Sequence, residues 1–107
     1  MNIITNHTLN CSRAVATLKQ VKDPEIGLSV IDLGLIYQID FDEPENKIFV
    51  LMTLTTKFCP MGESISTDVE RAIEHSFPDY AIQMEITYSP HWNNTMISDE
   101  GKLILNK

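Results

Sequence analysis

The sequence predicts an α+β fold, a two-layer sandwich with helices covering one face of a small mixed sheet, on three observations. Leu35–Phe41, Lys47–Thr55 and Tyr80–Tyr88 each alternate apolar with more polar side chains, the period of a strand that buries one face. Ile65, Val69, Ile73 and Phe77, between the second and third of these, recur along one helical stripe. A helical segment precedes the first strand and a short one closes the chain, so the order reads α-β-β-α-β with a C-terminal helix. At 107 residues the chain is sized for one domain with a modest core. Residues 1–9, which carry no clear period, are expected as a loose lead-in, and residues 10–107 as the domain.

In chain order, Asn10 is placed to cap a first helix, with Val15, Leu18 and Val21 as its apolar stripe and Cys11 in its first turn. That helix must end before Pro24, because the residue preceding a proline is pushed out of the helical region. Asp23 to Leu35 mixes Pro24, Gly27 and Gly34 with an apolar run, which predicts a folded-down loop rather than a regular element. Three carboxylates, Asp23, Glu25 and Asp32, lie within it. Each alone is explained by bonds to turn N–H groups; together, in an apolar loop, they are a candidate polar wall.

In the first strand Leu35, Tyr37, Ile39 and Phe41 are expected inward. Asp42–Asn46 is a turn by composition, so the first two strands form a hairpin. Pro60 suits the first turn of the central helix, where a missing N–H costs nothing, and the helix is expected to run to about Phe77. A right-handed crossover through it makes the second and third strands parallel. The first strand is then expected between them, antiparallel to both. In the tail, Trp92 is read as a hydrophobic plug at an edge of the core. Ser98 followed by Asp99 and Glu100 marks a helix start, with Leu103 and Ile104 to dock it.

Cys59 falls where the second strand hands over to the central helix. The free N–H groups of a helix N-terminus favour an anion, so a thiol there ionises more readily than a free one. The competing reading is a small apolar residue buried at a strand–helix corner. Polar character rises along the second strand toward the same end, through Thr53 and Thr55.

Composition narrows the classes. Eight Lys and Arg against 15 Asp and Glu leave a net charge of −7, the wrong sign for phosphate-backbone binding, so nucleic acid is not an expected partner. No stretch reaches the length of a membrane span, and the start lacks the basic and apolar regions of a leader, so a cytoplasmic setting is expected. Cys11 and Cys59 cannot build a disulfide framework or close a zinc site alone. His7, His75 and His91 have no ligand spacing with them and are read as ordinary surface or boundary residues.

Asp23-Pro24-Glu25-Ile26, then Ile31-Asp32-Leu33-Gly34-Leu35-Ile36-Tyr37, then Met52-Thr53-Leu54-Thr55 leading to Cys59-Pro60, resemble the SufT/PaaD-like iron–sulfur cluster assembly domain family. That family includes relatives of a cytosolic iron–sulfur assembly factor and of a domain fused to Mrp-type ATPases. The match runs from about Leu18 to Leu105. Relatives often read Pro-Pro-Trp-Thr-Pro where this chain has Pro90-His91-Trp92-Asn93-Asn94, and many carry a proline within the stretch that is Thr56-Lys57-Phe58 here.

The resemblance implies an α+β fold and a role in maturing iron–sulfur proteins, with Cys59 matching the family's cysteine. It implies a non-enzymatic factor that works with the iron–sulfur assembly machinery and client apoproteins. Cys59 is then the candidate metal and cofactor ligand, with Asp23, Glu25, Asp32, Thr53 and Thr55 as pocket neighbours. One cysteine is short of the usual four thiolates. No tightly bound cofactor is therefore expected, only a transient cluster or iron, with further ligands from a partner, a small thiol or a homodimer. Two alternatives stand beside this reading. One is an accessory component of a phenylacetyl-CoA-type oxygenase system, as in PaaD-like members. The other is a thiol-dependent enzyme with Cys59 as nucleophile, which no histidine is placed by sequence to serve as base.

Overall fold

The computed structural model describes residues 3–23, 27–54, 62–89 and 92–105. The architecture is the expected α+β type. A four-stranded mixed sheet, β1 (Ile4–Thr5), β2 (Ile36–Asp42), β3 (Lys47–Met52) and β4 (Ala81–Ile86), is ordered β1-β2-β3-β4. Helices α1 (Thr8–Leu18) and α2 (Gly62–Ser76) pack against the sheet and each other, and α3 (Asp99–Leu105) closes the chain.

The strongest periodic signals become the core. Ile48, Val50 and Met52 of β3 are buried on one face, as are Ile65, Val69 and Ile73 of α2, with Phe77 following. Cys11, Ala14, Val15 and Leu18 form the buried face of α1. The helix ends ahead of Pro24, but its cap is His7 rather than Asn10: His7 Nδ1 accepts the Asn10 N–H at 3.1 Å. Helices α1 and α2 are cross-linked where Thr17 and Ser76 share a hydroxyl hydrogen bond of 2.6 Å. Close by, the Arg13 guanidinium lies 4.7 Å from the centre of the Phe77 ring. Ile73→Val, which trims one methylene from this buried stripe, is expected to lower unfolding stability by about 0.5–1.5 kcal/mol, read from urea melts with an unchanged m-value.

Sheet order departs from expectation. The second and third expected strands are parallel, β3 with β4, and β2 is antiparallel to β3, but β3 is the strand in the middle. The far side of β2 is closed by β1, which pairs in parallel through Ile4–Gln38 and Thr5–Ile39. The crossover through α2 therefore delivers β4 to the open side of β3. The lead-in is also tied down, since Thr8 and Leu9 open α1 and Ile4–Thr5 joins the sheet. Just beyond β1 the Asn6 side chain stands in for a strand: Nδ2–H donates to the Phe41 carbonyl at 2.9 Å, and Oδ1 accepts the Phe41 N–H at 2.8 Å.

A register shift between Ile36 and Gln38 changes the phase of β2. Tyr37 is the extra residue, so Ile36 rather than Tyr37 joins Ile39 and Phe41 in the core. The hairpin turn over residues 43–46 is as expected, with Asn46 in the left-handed region at φ 52°. At this hairpin end Tyr80 meets Phe41 and Phe77 edge to face and the two phenylalanine rings are tilted to each other, with centroids 5.4–6.3 Å apart, closing one end of the sheet. The other end is polar and looped.

Candidate functional site

The polar end of the sheet is assembled by backbone bonds that run from loop to strand. The Val21–Val30 segment folds back on itself, with an antiparallel bridge between Lys22 and Ser29 and a 2.9 Å bond from Val30 N–H to the Val21 carbonyl. Within it the Asp23 N–H donates to the Leu28 carbonyl, and the Gly27 N–H to the Asp23 carbonyl at 2.7 Å. Leu35 N–H then reaches the Val30 carbonyl, and Thr53 N–H the Leu35 carbonyl at 2.8 Å. One connected path therefore leads from Asp23 to Thr53, the residue after β3. Thr87 N–H donates to the Met52 carbonyl at the same sheet end.

Of the site residues expected from sequence, Asp23 is 2% exposed, Thr53 is fully buried and Asp32 is half-buried at this end. Cys59, Glu25 and Thr55 lie outside the described residues, and so does Pro60 at the expected start of the central helix. Among the described residues, no three His, Cys, Asp or Glu side chains are grouped to hold a metal ion. No helix among them is long and apolar enough to cross a membrane.

Asp32 is fully engaged as a latch. Its Oδ1 accepts the Ser98 hydroxyl at 2.8 Å, and its Oδ2 accepts the Ser29 hydroxyl at 3.2 Å. Ser29 Oγ in turn accepts the Asp32 N–H at 3.0 Å, and Ser98 N–H donates to the Asp32 carbonyl at 2.7 Å. Ser98 Oγ also accepts the Gly101 N–H at 3.0 Å, which caps α3. A single carboxylate thus ties the loop before β2 to the start of the last helix. Trp92 adds a second tie: half-buried against the core as the expected plug, it donates its indole N–H to the Leu33 carbonyl at 2.6 Å.

The last helix does not dock as the sequence suggested. Leu103 and Ile104 are 68% and 52% exposed, and the contact is made by Ile97 and buried Gly101. A Cβ on Gly101 would come within 2.9 Å of Ile97 and 3.3 Å of the Asp32 Cβ, so only glycine brings α3 this close. Sequence reasoning also missed Ser29, which the local Ser29-x-x-Asp32 spacing could have shown, and the bond of Ser98 to Asp32, which joins positions 66 residues apart.

A cleft of about 590 Å³ opens where the bulge of β2 meets the tail, between Ile36, Tyr37, Met96, Ser98 and Lys102. The bulge turns Tyr37 toward the tail, where its hydroxyl donates to the Met96 sulfur at 3.7 Å. Asp23, Asp32 and Thr53 do not line this cleft. Asp32→Ala, which strands two hydroxyl donors, is expected to lower stability by roughly 1–3 kcal/mol and to free the tail first. Hydrogen exchange should show early loss of protection at Ser98 and Gly101 while α2 stays protected. Loss at both together would contradict the latch.

Taken together, these elements define a small mixed α+β domain whose looped sheet end is latched by its own tail. Residues 12–88 match the family described as iron–sulfur cluster assembly protein, and the chain belongs to that family. It is 38% identical over 91 residues to the Fe-S protein maturation auxiliary factor of Porphyromonas gingivalis, covering 85% of this chain and 86% of that one. It is 35% identical over 85 residues to the Fe-S protein maturation auxiliary factor SufT of Staphylococcus aureus, covering 79% of this chain and 96% of the other. The fold is similar to the crystal structure of a domain of unknown function, DUF59, from Bacillus anthracis. There the TM-score is 0.82 at 31% identity, over 89% of this chain and 90% of that one.

Proposed function

We propose that this protein is a non-catalytic maturation factor for iron–sulfur proteins, and that it hands iron or a cluster to client apoproteins through the Cys59 thiolate. Family membership carries the reading: curated relatives named as Fe-S protein maturation auxiliary factors match over most of their own length and most of this chain. The thiolate part rests on chemistry. A soft sulfur ligand suits iron and clusters, while carboxylates and hydroxyls do not compete well for them. Cys59 comes seven residues after Met52, the last residue of β3, and the Thr53 that follows β3 is hydrogen-bonded to Leu35 of the loop that carries Asp23 and Asp32.

The cargo is held transiently, because one thiolate leaves most coordination positions to others: a client, an assembly partner or a small thiol. Its partners are the assembly machinery and clients, and its setting is the cytoplasm, where thiols stay reduced. Anaerobic reconstitution with iron and sulfide, followed by absorption spectroscopy and native mass measurement, tests the thiolate. Wild type should gain iron and a sulfur-to-iron charge-transfer band that Cys59→Ser lacks. Equal iron loading of both would exclude Cys59 as the ligand.

A further inference from the structure

The two edges of the sheet are guarded very differently. On one side β1 is two residues long and Asn6 occupies the backbone beyond it. On the other side β4 is a regular six-residue strand, Ala81–Ile86, without a proline, a lysine or a register shift. Among the described residues no strand pairs with its outer edge. Such an edge offers unpaired N–H and C=O groups to another chain, and natural sheets usually blunt it with the devices absent here.

The hydrogen-bond pattern says which groups are on offer. Ala81 N–H donates to the Asn46 carbonyl at 2.8 Å and Thr87 N–H to the Met52 carbonyl at 2.9 Å, so the odd residues face β3. Both polar groups of one residue point to the same side of a strand, and sides alternate. The backbones of Ile82, Met84 and Ile86 therefore face outward. Ile82 and Met84 are half-buried on the apolar face, and Ile86 is 37% exposed. Ala81, Gln83 and Glu85 are exposed on the other face.

We infer that β4 pairs with β4 of a second copy of this chain, antiparallel about a two-fold axis at Met84. Only registers that match outward-facing residues with outward-facing residues keep the apolar faces aligned, and among these the registers centred on Gln83 and Met84 pair the most of the six-residue strand, five residues each. Centring on Glu85 sets two glutamates against each other, which is unfavourable across strands. Centring on Gln83 brings Ile86 opposite Tyr80, which lies in the bend before β4. Centring on Met84 pairs Ile82 with Ile86 of the other copy, Met84 with Met84, and Gln83 with Glu85. Every outward backbone group of Ile82, Met84 and Ile86 is then bonded, exposed Ile86 gains an apolar neighbour, and each glutamate meets an amide donor. That self-complementarity is what a two-fold interface requires. Two four-stranded sheets join into one.

The antiparallel arrangement places the two β3 ends, which lead into the Cys59 segments, at opposite ends of the joined sheet. Each chain carries −7, so long-range repulsion opposes pairing and added salt tightens it.

Sedimentation equilibrium from micromolar to millimolar protein, at low and high salt, tests the inference. Wild type should self-associate reversibly, more strongly in high salt. Gln83→Lys, exposed in the monomer, creates two cross-strand ion pairs with Glu85 and should tighten association roughly two- to thirty-fold, and Gln83→Glu should weaken it similarly. Met84→Pro removes an N–H that points away from β3 and should give a monomer with unchanged circular dichroism. A wild type that sediments as a monomer throughout overturns the inference, as does weakening by Gln83→Lys, which would place the axis at residue 83. A monomeric wild type whose Met84→Pro variant loses binding of an iron–sulfur client would show that the edge takes an extended client segment instead.

Discussion

Gly34→Ala is expected to lower unfolding stability by about 2–5 kcal/mol, a large part of the 5–15 kcal/mol typical of a domain. Two effects add. Gly34 has φ +73°, where an L side chain costs roughly 1–2 kcal/mol. Its new Cβ would also land on the Met96 carbonyl oxygen, with the Met96 carbonyl carbon and Cβ both 3.1 Å away. Met96 cannot easily withdraw, because its N–H is bonded to the Asn93 carbonyl at 3.0 Å and the next turn is latched through Ser98 to Asp32. Gly27 is the control: its φ is +84°, but a Cβ there meets nothing within 4 Å, so Gly27→Ala should show only the backbone strain. Thermal melts should place Gly34→Ala roughly 10–30 °C below wild type and well below Gly27→Ala. Equal losses at the two positions would mean that the tail gives way freely, contrary to the latch.

How much of this was readable from sequence differs by element. The alternation of Lys47–Met52 and the Ile65, Val69, Ile73 stripe were legible because long periodic segments bury one face regardless of context. The two-residue β1 was not, since two residues, followed by an Asn6 whose side chain takes over the bonding, leave no period to detect. The start of β2 differs from the expected alternation because one extra residue, Tyr37, puts Ile36 in its place on the buried face, while Leu35, Ile39 and Phe41 are buried as expected. The crossover rule makes β3 and β4 parallel but says nothing of adjacency, so the central position of β3 was out of reach. Docking of α3 was assigned to Leu103 and Ile104 on hydropathy, whereas the contact depends on the small size of Gly101. At the site, the carboxylate loop was visible as Asp23 and Asp32 in an apolar run. What Asp32 holds was not, because its partner Ser98 lies 66 residues away. The role proposed for Cys59 rests on the resemblance carried by several ordered motifs; one cysteine beside a proline would not have supported it.

Cys59→Ser should abolish support of client maturation and leave the fold intact. Serine nearly preserves the size of the side chain, but its hydroxyl is a poor ligand for a soft metal. A purely structural Cys59 predicts the reverse, a stability loss of roughly 1–3 kcal/mol from a buried hydroxyl with client activity kept per folded molecule. Cys11 supplies the comparison within the same chain. It is buried on the inward face of α1, so Cys11→Ser should lower the melting temperature while sparing client activity per folded molecule. The decisive measurement is the specific activity of an iron–sulfur client enzyme in cells whose only copy of this protein is the Cys59→Ser variant, normalised to the amount of folded protein. The thiolate account predicts client activity at the level of cells lacking the protein altogether. Client activity equal to wild type would contradict it and leave a factor that works through its surface alone.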